Sequence, residues 1–378
     1  MAQSTFRRTC TLETLEDRHL LAVTTSLING GTTLRIVSDA SSDIVRIIQS
    51  DTDDSIKVSW QPVSSGMLDD FDYAQDFMSS KISKIIVQMG AGDDQLYYQF
   101  DSLEMYSPKT LQVDLGAGAD YAFFDFGGNL MVPYGGPGND APSPDGNEIP
   151  MYDWPMPMPA ELKQNLTIDV KGGSGNDVID AVFGNVYANL NYRARGEAGQ
   201  DRLTADIAGS VSSTARVLID LDGGIAQDTL WTSLGQGTVE TGGRITVNQR
   251  GGQGNDSLSA VGYGAVHGAV FLNQWGGTGG DTISSMMELD DLSSGRVIAR
   301  AYGQAGSDDV TMRLKQGETQ LMQEPPYNEP AVAVTASLFG TIHGGAGGNV
   351  ARITPNIRVM FARTLESSWF SGFPMPPG

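Results

Sequence analysis

One short phrase, Gly-Gly-x-Gly-x-Asp-x-hydrophobe, constrains this 378-residue chain more than any other feature. Three copies are complete: Gly172-Gly173-Ser174-Gly175-Asn176-Asp177-Val178-Ile179, Gly251-Gly252-Gln253-Gly254-Asn255-Asp256-Ser257-Leu258 and Gly276-Gly277-Thr278-Gly279-Gly280-Asp281-Thr282-Ile283. Counted by the acidic position, the series runs Asp94, Asp120, Asp177, Asp201, Asp228, Asp256, Asp281 and Asp308, with Asn349 in a ninth copy that lacks the acid. Successive spacings are 26, 57, 24, 27, 28, 25, 27 and 41 residues. The two long gaps contain insertions, 133–159 and 316–330, and without them both approach the common period. A period in the mid-twenties is that of a solenoid, in which each repeat is one coil stacked on its neighbours.

The flanks keep the same register. Nine and eleven residues before the acid stand pairs such as Ile168 and Leu166, Ile219 and Val217, and Val247 and Ile245; two residues after it stand Leu96, Ile179, Leu203, Leu230, Leu258, Ile283 and Val310. Apolar side chains two apart turn one face of a strand inward, so each unit reads strand, glycine turn, strand. The expected fold is all-β: an elongated parallel β-solenoid of the β-helix or β-roll kind. It has about 26 residues per coil and roughly ten coils at about 4.8 Å each.

The organisation follows from this register. Residues 1–23 are an N-terminal segment with a short amphipathic helix, and 24–80 form an N-terminal cap of degenerate coils ending in a polar, acidic loop from 61 to 80. Residues 81–363 form the solenoid with its two inserted loops, and 364–378 a Pro/Gly-rich tail. The insertion 133–159 carries eight prolines, which excludes a central strand. Asp43 and Asp54 fall where turns of the cap belong.

Charge and cysteine count exclude whole classes. With 24 basic against 45 acidic residues the net charge is −21, which repels nucleic acid and anionic lipid and attracts cations. Cys10 is the only cysteine, and His19, His267 and His343 are scattered, so neither a disulfide framework nor a Cys- or His-based zinc site is expected. No apolar run is long enough to span a membrane as a helix.

Two resemblances sharpen the reading. The phrase is similar to the nonapeptide of hemolysin-type (RTX) calcium-binding repeats. In that family turn carbonyls and the Asp carboxylate bind Ca2+ between stacked turns. Carried over to matching positions, this implies ligands at Gly172, Gly173, Gly175 and Asp177, at Gly251, Gly252, Gly254 and Asp256, and at Gly276, Gly277, Gly279 and Asp281. The acids of the partial copies, Asp94, Asp120, Asp201, Asp228 and Asp308, join them. Met89 and Leu115 replace the first glycine before Asp94 and Asp120, Glu197 and Gln304 the second, and Ala226 the third. The family's repeats run in tandem every nine residues, whereas here the phrase occurs once per coil, so calcium is expected in single file along one edge. The string Leu12-Glu13-Thr14-Leu15-Glu16-Asp17-Arg18-His19-Leu20-Leu21 resembles the N-terminal segment of many predicted exported proteins of planctomycete bacteria, which implies a destination outside the cytoplasm.

Physics supplies its own reason for a cation. Carboxylates stacked at strand spacing repel one another, Ca2+ wants six to eight oxygens, and two adjacent turns can supply them. Eight ions would carry +16 against the net −21. Against this stands the plainer reading, because Asp and Asn serve any β-turn by bonding their own backbone. The expected function is a non-catalytic, calcium-binding extracellular or cell-surface repeat protein with a structural or adhesive role. Its expected partners are cell-surface or matrix polysaccharide or protein. The alternatives are a plain solenoid scaffold without calcium and a β-helix polysaccharide lyase or glycosidase. An enzyme would need paired carboxylates in a cleft, and the densest acidic group inside the repeats is Glu288, Asp290 and Asp291.

Overall fold

The computed structural model describes residues 23–63, 71, 73–127, 159–235, 237–290, 293–316, 337–344, 348 and 350–354. The described chain is all-β and forms a parallel β-solenoid of about seven turns with about 27 residues per coil. The expected N-terminal helix, most of both insertions, Asn349, Asp291 and the tail lie outside the described residues.

Each coil has three sides. A long strand such as Arg244–Gln253 leads into the glycine turn, and a second strand, here Ser257–Gly264, leads out of it. The strands before the turn join one eleven-stranded sheet and those after it a twelve-stranded sheet. A short third side carries Met105, Leu162, Val186, Val211, Val239 and Val266, stacked through two-residue strands and single bridges. Registers repeat without slip: Val217 lies on Ile245, which lies on Val270, which lies on Val297. These inward residues and the Val column are buried in one continuous core. Burial of a core-facing side chain of this size stabilises by about 1.5–3 kcal/mol, so alternation fixes both register and face.

The N-terminal cap departs from the parallel plan. Val23–Ile28 pairs antiparallel with Thr33–Ser38, and Asp43–Ser50, Ser55–Pro62 and Tyr73–Met78 form an antiparallel meander. The stretch 61–80, expected to be a loop, therefore contains an edge strand. Hydrogen bonding to the open side of Ser55–Pro62 outweighs its polar composition. The hairpins interrupt the coil path, so Asp43 and Asp94 are stacking neighbours although 51 residues apart. A buried lysine fastens the meander to the rod: Lys109, 2% exposed, donates through Nζ to the Ser79 carbonyl at 2.9 Å and to Ser107 Oγ at 2.6 Å.

Candidate functional site: an aspartate column along one edge

The glycine turns stack on one another and bring their aspartates into a single line. Each backbone N–H donates to Oδ1 of the aspartate one coil further on: Asp94 to Asp120 (2.8 Å), Asp120 to Asp177 (2.9 Å), Asp177 to Asp201 and Asp201 to Asp228 (2.8 Å). The series continues from Asp228 to Asp256 (2.8 Å), Asp256 to Asp281 (2.9 Å) and Asp281 to Asp308 (3.0 Å). All eight expected acids are members, and none is more than 3% exposed.

The column has a ninth member that the glycine pattern does not reveal. Asp43 donates its N–H to Asp94 Oδ1 at 2.8 Å, and its own Oδ2 accepts from the Ser38 hydroxyl. A separation of about two periods from Asp94 was the available signal. A second, outer ladder runs beside the first: Asp93, Asn176 and Asn255 accept the N–H groups of Ala119, Gln200 and Gly280 in the next coil.

The glycines have distinct jobs. At the second and third positions the backbone takes positive φ, as at Gly252 (108°) and Gly254 (146°), and a Cβ would strike the backbone of the coil before. Glu197, Gln304 and Ala226 adopt the same left-handed conformation without glycine's freedom, at φ 74°, 73° and 91°; such backbone costs of order 1–3 kcal/mol in a non-glycine residue. The first glycine makes room for the acid itself. A Cβ at Gly172 would lie well under 3 Å from Asp177 Oδ2 and 2.8 Å from the carbonyl oxygen of Gly196 in the next coil. A carboxylate and a carbonyl face the same space at Gly196, Gly223, Gly251 and Gly303. In the Asp94 and Asp120 turns that position is held instead by Met89 and Leu115, both fully buried.

The second carboxylate oxygen is the chemically exceptional atom. Oδ2 of Asp94, Asp120, Asp177, Asp201, Asp228, Asp256 and Asp281 is buried and has no hydrogen-bond donor. Burial of an acceptor without a donor costs about 1–3 kcal/mol, and more for a charged group. Accordingly burial, first among the causes, pushes these carboxyls up from the usual 3.8, against the neighbouring amide that holds them down. Asp94 reaches about 8, Asp177 and Asp228 about 7, and Asp120, Asp201 and Asp281 about 6. Asp256 and Asp308 move in the same direction.

Tested against calcium, the donors fit in chemistry: hard, anionic oxygens in a repeating row, with a turn carbonyl facing the same first-glycine space at Gly172, Gly196, Gly223, Gly251 and Gly303. Among the described residues no three His, Cys, Asp or Glu side chains converge as a metal cluster, so backbone carbonyls must complete any shell. The fit covers the turns of Asp177, Asp201, Asp228, Asp256 and Asp308, the Asp281 turn keeps the first-glycine space at Gly276, and the fit fails at Asp94 and Asp120, where Met89 and Leu115 occupy that position. Of the acids considered for catalysis, Glu288 is held in an ion pair with Arg313 at 2.8 Å. Comparisons with family models, characterised proteins and solved structures returned no match.

Proposed function

We propose that this protein is a non-catalytic calcium-binding rod that acts outside the cell in a structural or adhesive role. The observation that carries the reading is the buried row in which the second carboxylate oxygens from Asp94 to Asp281 lack donors. Such a row needs protons or cations, and its carboxyls give up their protons as pH rises through about 6 to 8. Divalent ions discharge it at any pH above that range.

The residues that would hold calcium are Asp177, Asp201, Asp228, Asp256 and Asp308, with turn carbonyls such as those of Gly196, Gly223 and Gly251. Bound calcium supplies positive charge between neighbouring coils and so couples ion binding to folding. Export is supported by the Leu12–Leu21 string in the sequence, and a structural role by the regular surface of stacked coils.

The test is calorimetric melting of the full chain in millimolar calcium and in chelator. A rise in Tm with calcium, absent with magnesium, is expected. Superimposable melts in calcium and chelator would overturn the calcium reading and leave the column as a packing device.

A further inference from the structure

The outer face of the rod changes character halfway along. In the earlier coils the outward side chains before the glycine turn are ion pairs: Arg195 with Asp169 (3.0 Å), Arg193 with Asp220 (3.9 Å) and Lys171 with Glu197 (3.6 Å). In the later coils the strands Arg244–Gln253, Ala269–Thr278, Arg296–Ala305 and Ser337–His343 lie side by side in parallel register. Four outward positions on each strand, from Arg244 to Arg250 and their register partners, give sixteen sites without a single Asp or Glu. They carry four of the chain's 24 basic residues, in a protein with 45 acids.

The sixteen sites form columns along the rod axis. One column continues from Arg250 through Trp275 and Tyr302 to His343, with ring centroids 5.9 and 4.8 Å apart and planes within 7°. Another holds Phe271 and Phe339, each covered by a guanidinium: Arg244 at 4.3 Å and Arg296 at 5.1 Å. Between the aromatic columns runs a polar one, in which Asn273 donates to Asn248 at 3.0 Å and Arg300 approaches Asn273 at 3.4 Å. Arg250 is paired with Asp220 at 2.5 Å, but Arg244, Arg296 and Arg300 have no carboxylate partner among the described residues. Beside the Trp275 column lies a trough of about 540 Å³, floored by Gly252 and Gly277 and edged by Arg250 and Gln304, with Asp222 the one acid on its lining.

The geometry points to a binding face for an acidic polysaccharide, lying along the rod axis across these four strands. The inference rests on the reading of the protein as an adhesive rod and names its ligand class. Guanidinium forks match carboxylate or sulfate groups. The amide column offers donors and acceptors to hydroxyls, and the aromatic columns offer apolar walls to the C–H faces of sugars. Coils repeat at about 4.8 Å, close to the length of one pyranose residue, so the column of Asn248, Asn273 and Arg300 keeps step with successive sugars while Arg244 and Arg296 stand two coils apart. Nucleic acid suits the face less well, because its dense phosphates meet the field of a protein with net charge −21.

The experiment is affinity electrophoresis and titration calorimetry of the full chain against polygalacturonate, chondroitin sulfate, neutral dextran and double-stranded DNA at physiological salt. Binding to at least one acidic glycan and none to dextran is expected. The triple variant Arg244→Gln, Arg296→Gln, Arg300→Gln, with its melt unchanged, should bind at least about tenfold more weakly. Lys171→Gln on the earlier coils should bind as the parent does. Absence of binding to both acidic glycans, an unaffected triple variant, or equal affinity for DNA would each overturn the inference. The calcium melt is read separately: a calcium shift without glycan binding sinks only this inference, and glycan binding without a calcium shift sinks only the calcium site.

Discussion

Asp228 is the position at which proton, cation and packing give different answers. Its Oδ1 accepts the Asp201 N–H at 2.8 Å, while Oδ2 lies against Gly223, near the Gly251 carbonyl, with no donor. Asparagine keeps the acceptor, removes the charge and places an NH2 donor where the second oxygen was. Burial first, and then the fields of Asp201, Asp256 and Asp222, raise the Asp228 pKa from 3.8 to about 7. At about 1.4 kcal/mol per unit this sets a ceiling of about 4 kcal/mol on the cost of the charge. Water at the turn and sharing of charge between neighbours reduce the expected figure to about 2 kcal/mol.

Asp228→Asn is therefore expected to be more stable than the parent in chelator near pH 8, by about 2 kcal/mol or roughly 5 °C in Tm. In millimolar calcium the order should reverse, because the parent gains ion binding that the variant has weakened. Calorimetry on both proteins in both buffers gives the four melts required. A variant that melts below the parent in chelator refutes the premise that the bare carboxylate is a burden. Equal calcium shifts in the two proteins remove Asp228 from the ion site.

The column predicts further behaviour. Its carboxyls have folded-state pKa values above the unfolded 3.8, so their stabilising contribution is full below about pH 4 and is lost as pH rises through 6 to 8; chelated protein should melt lower at about pH 8 than at about pH 5, and calcium should flatten that slope. Gly251→Ala drives a Cβ into Asp256 and the Gly276 carbonyl and should cost about 2–4 kcal/mol, whereas Gly280→Ala meets nothing nearer than 3.2 Å and should melt close to the parent. Lys109→Ala removes the donor to Ser79 and Ser107 and should cost about 2–3 kcal/mol, seen as faster hydrogen exchange in the meander of 43–62 and 73–78 before the rest of the rod.

Much of the fold was legible because it depends on periods. Apolar residues two apart gave the inner faces of strands, and the acid spacing gave the stacking, so Ile219, Val247 and Leu272 are core neighbours in successive coils. The Val186, Val211, Val239 and Val266 column repeats with nearly the same spacing, but single residues on a short third side make no alternating pattern. The antiparallel meander was half visible: its strands alternate, yet pairing direction depends on chain path and not on composition. The candidate site was legible to the level of which acids align. Where each carboxylate aims was not, since that depends on the coil rise and on the space left by a glycine five residues earlier. Asp43 was placed at a turn but not in the column, because Ser38, Asp39 and Ser41 stand where the later turns have glycines.

The geometry separates two meanings of the phrase that a motif match fuses. Glycine at the second and third positions answers positive φ and close stacking, glycine at the first answers the bulk of the carboxylate, and the acid answers the amide of the coil before. Each position thus has a packing role, with or without an ion, and similarity of the phrase to a calcium-binding repeat carries no weight of its own. The weight falls on one atom in each turn from Asp94 to Asp281, the Oδ2 that packing buries but does not satisfy. Neutral asparagine would meet every packing demand of the turn and leave no such atom, yet the described turns keep aspartate in all eight copies. At Asp94 and Asp120 the acid persists although Met89 and Leu115 fill the space an ion would need, so the charge alone does not mark a cation site, and the Asp228→Asn melts decide the matter at a turn that keeps its first glycine.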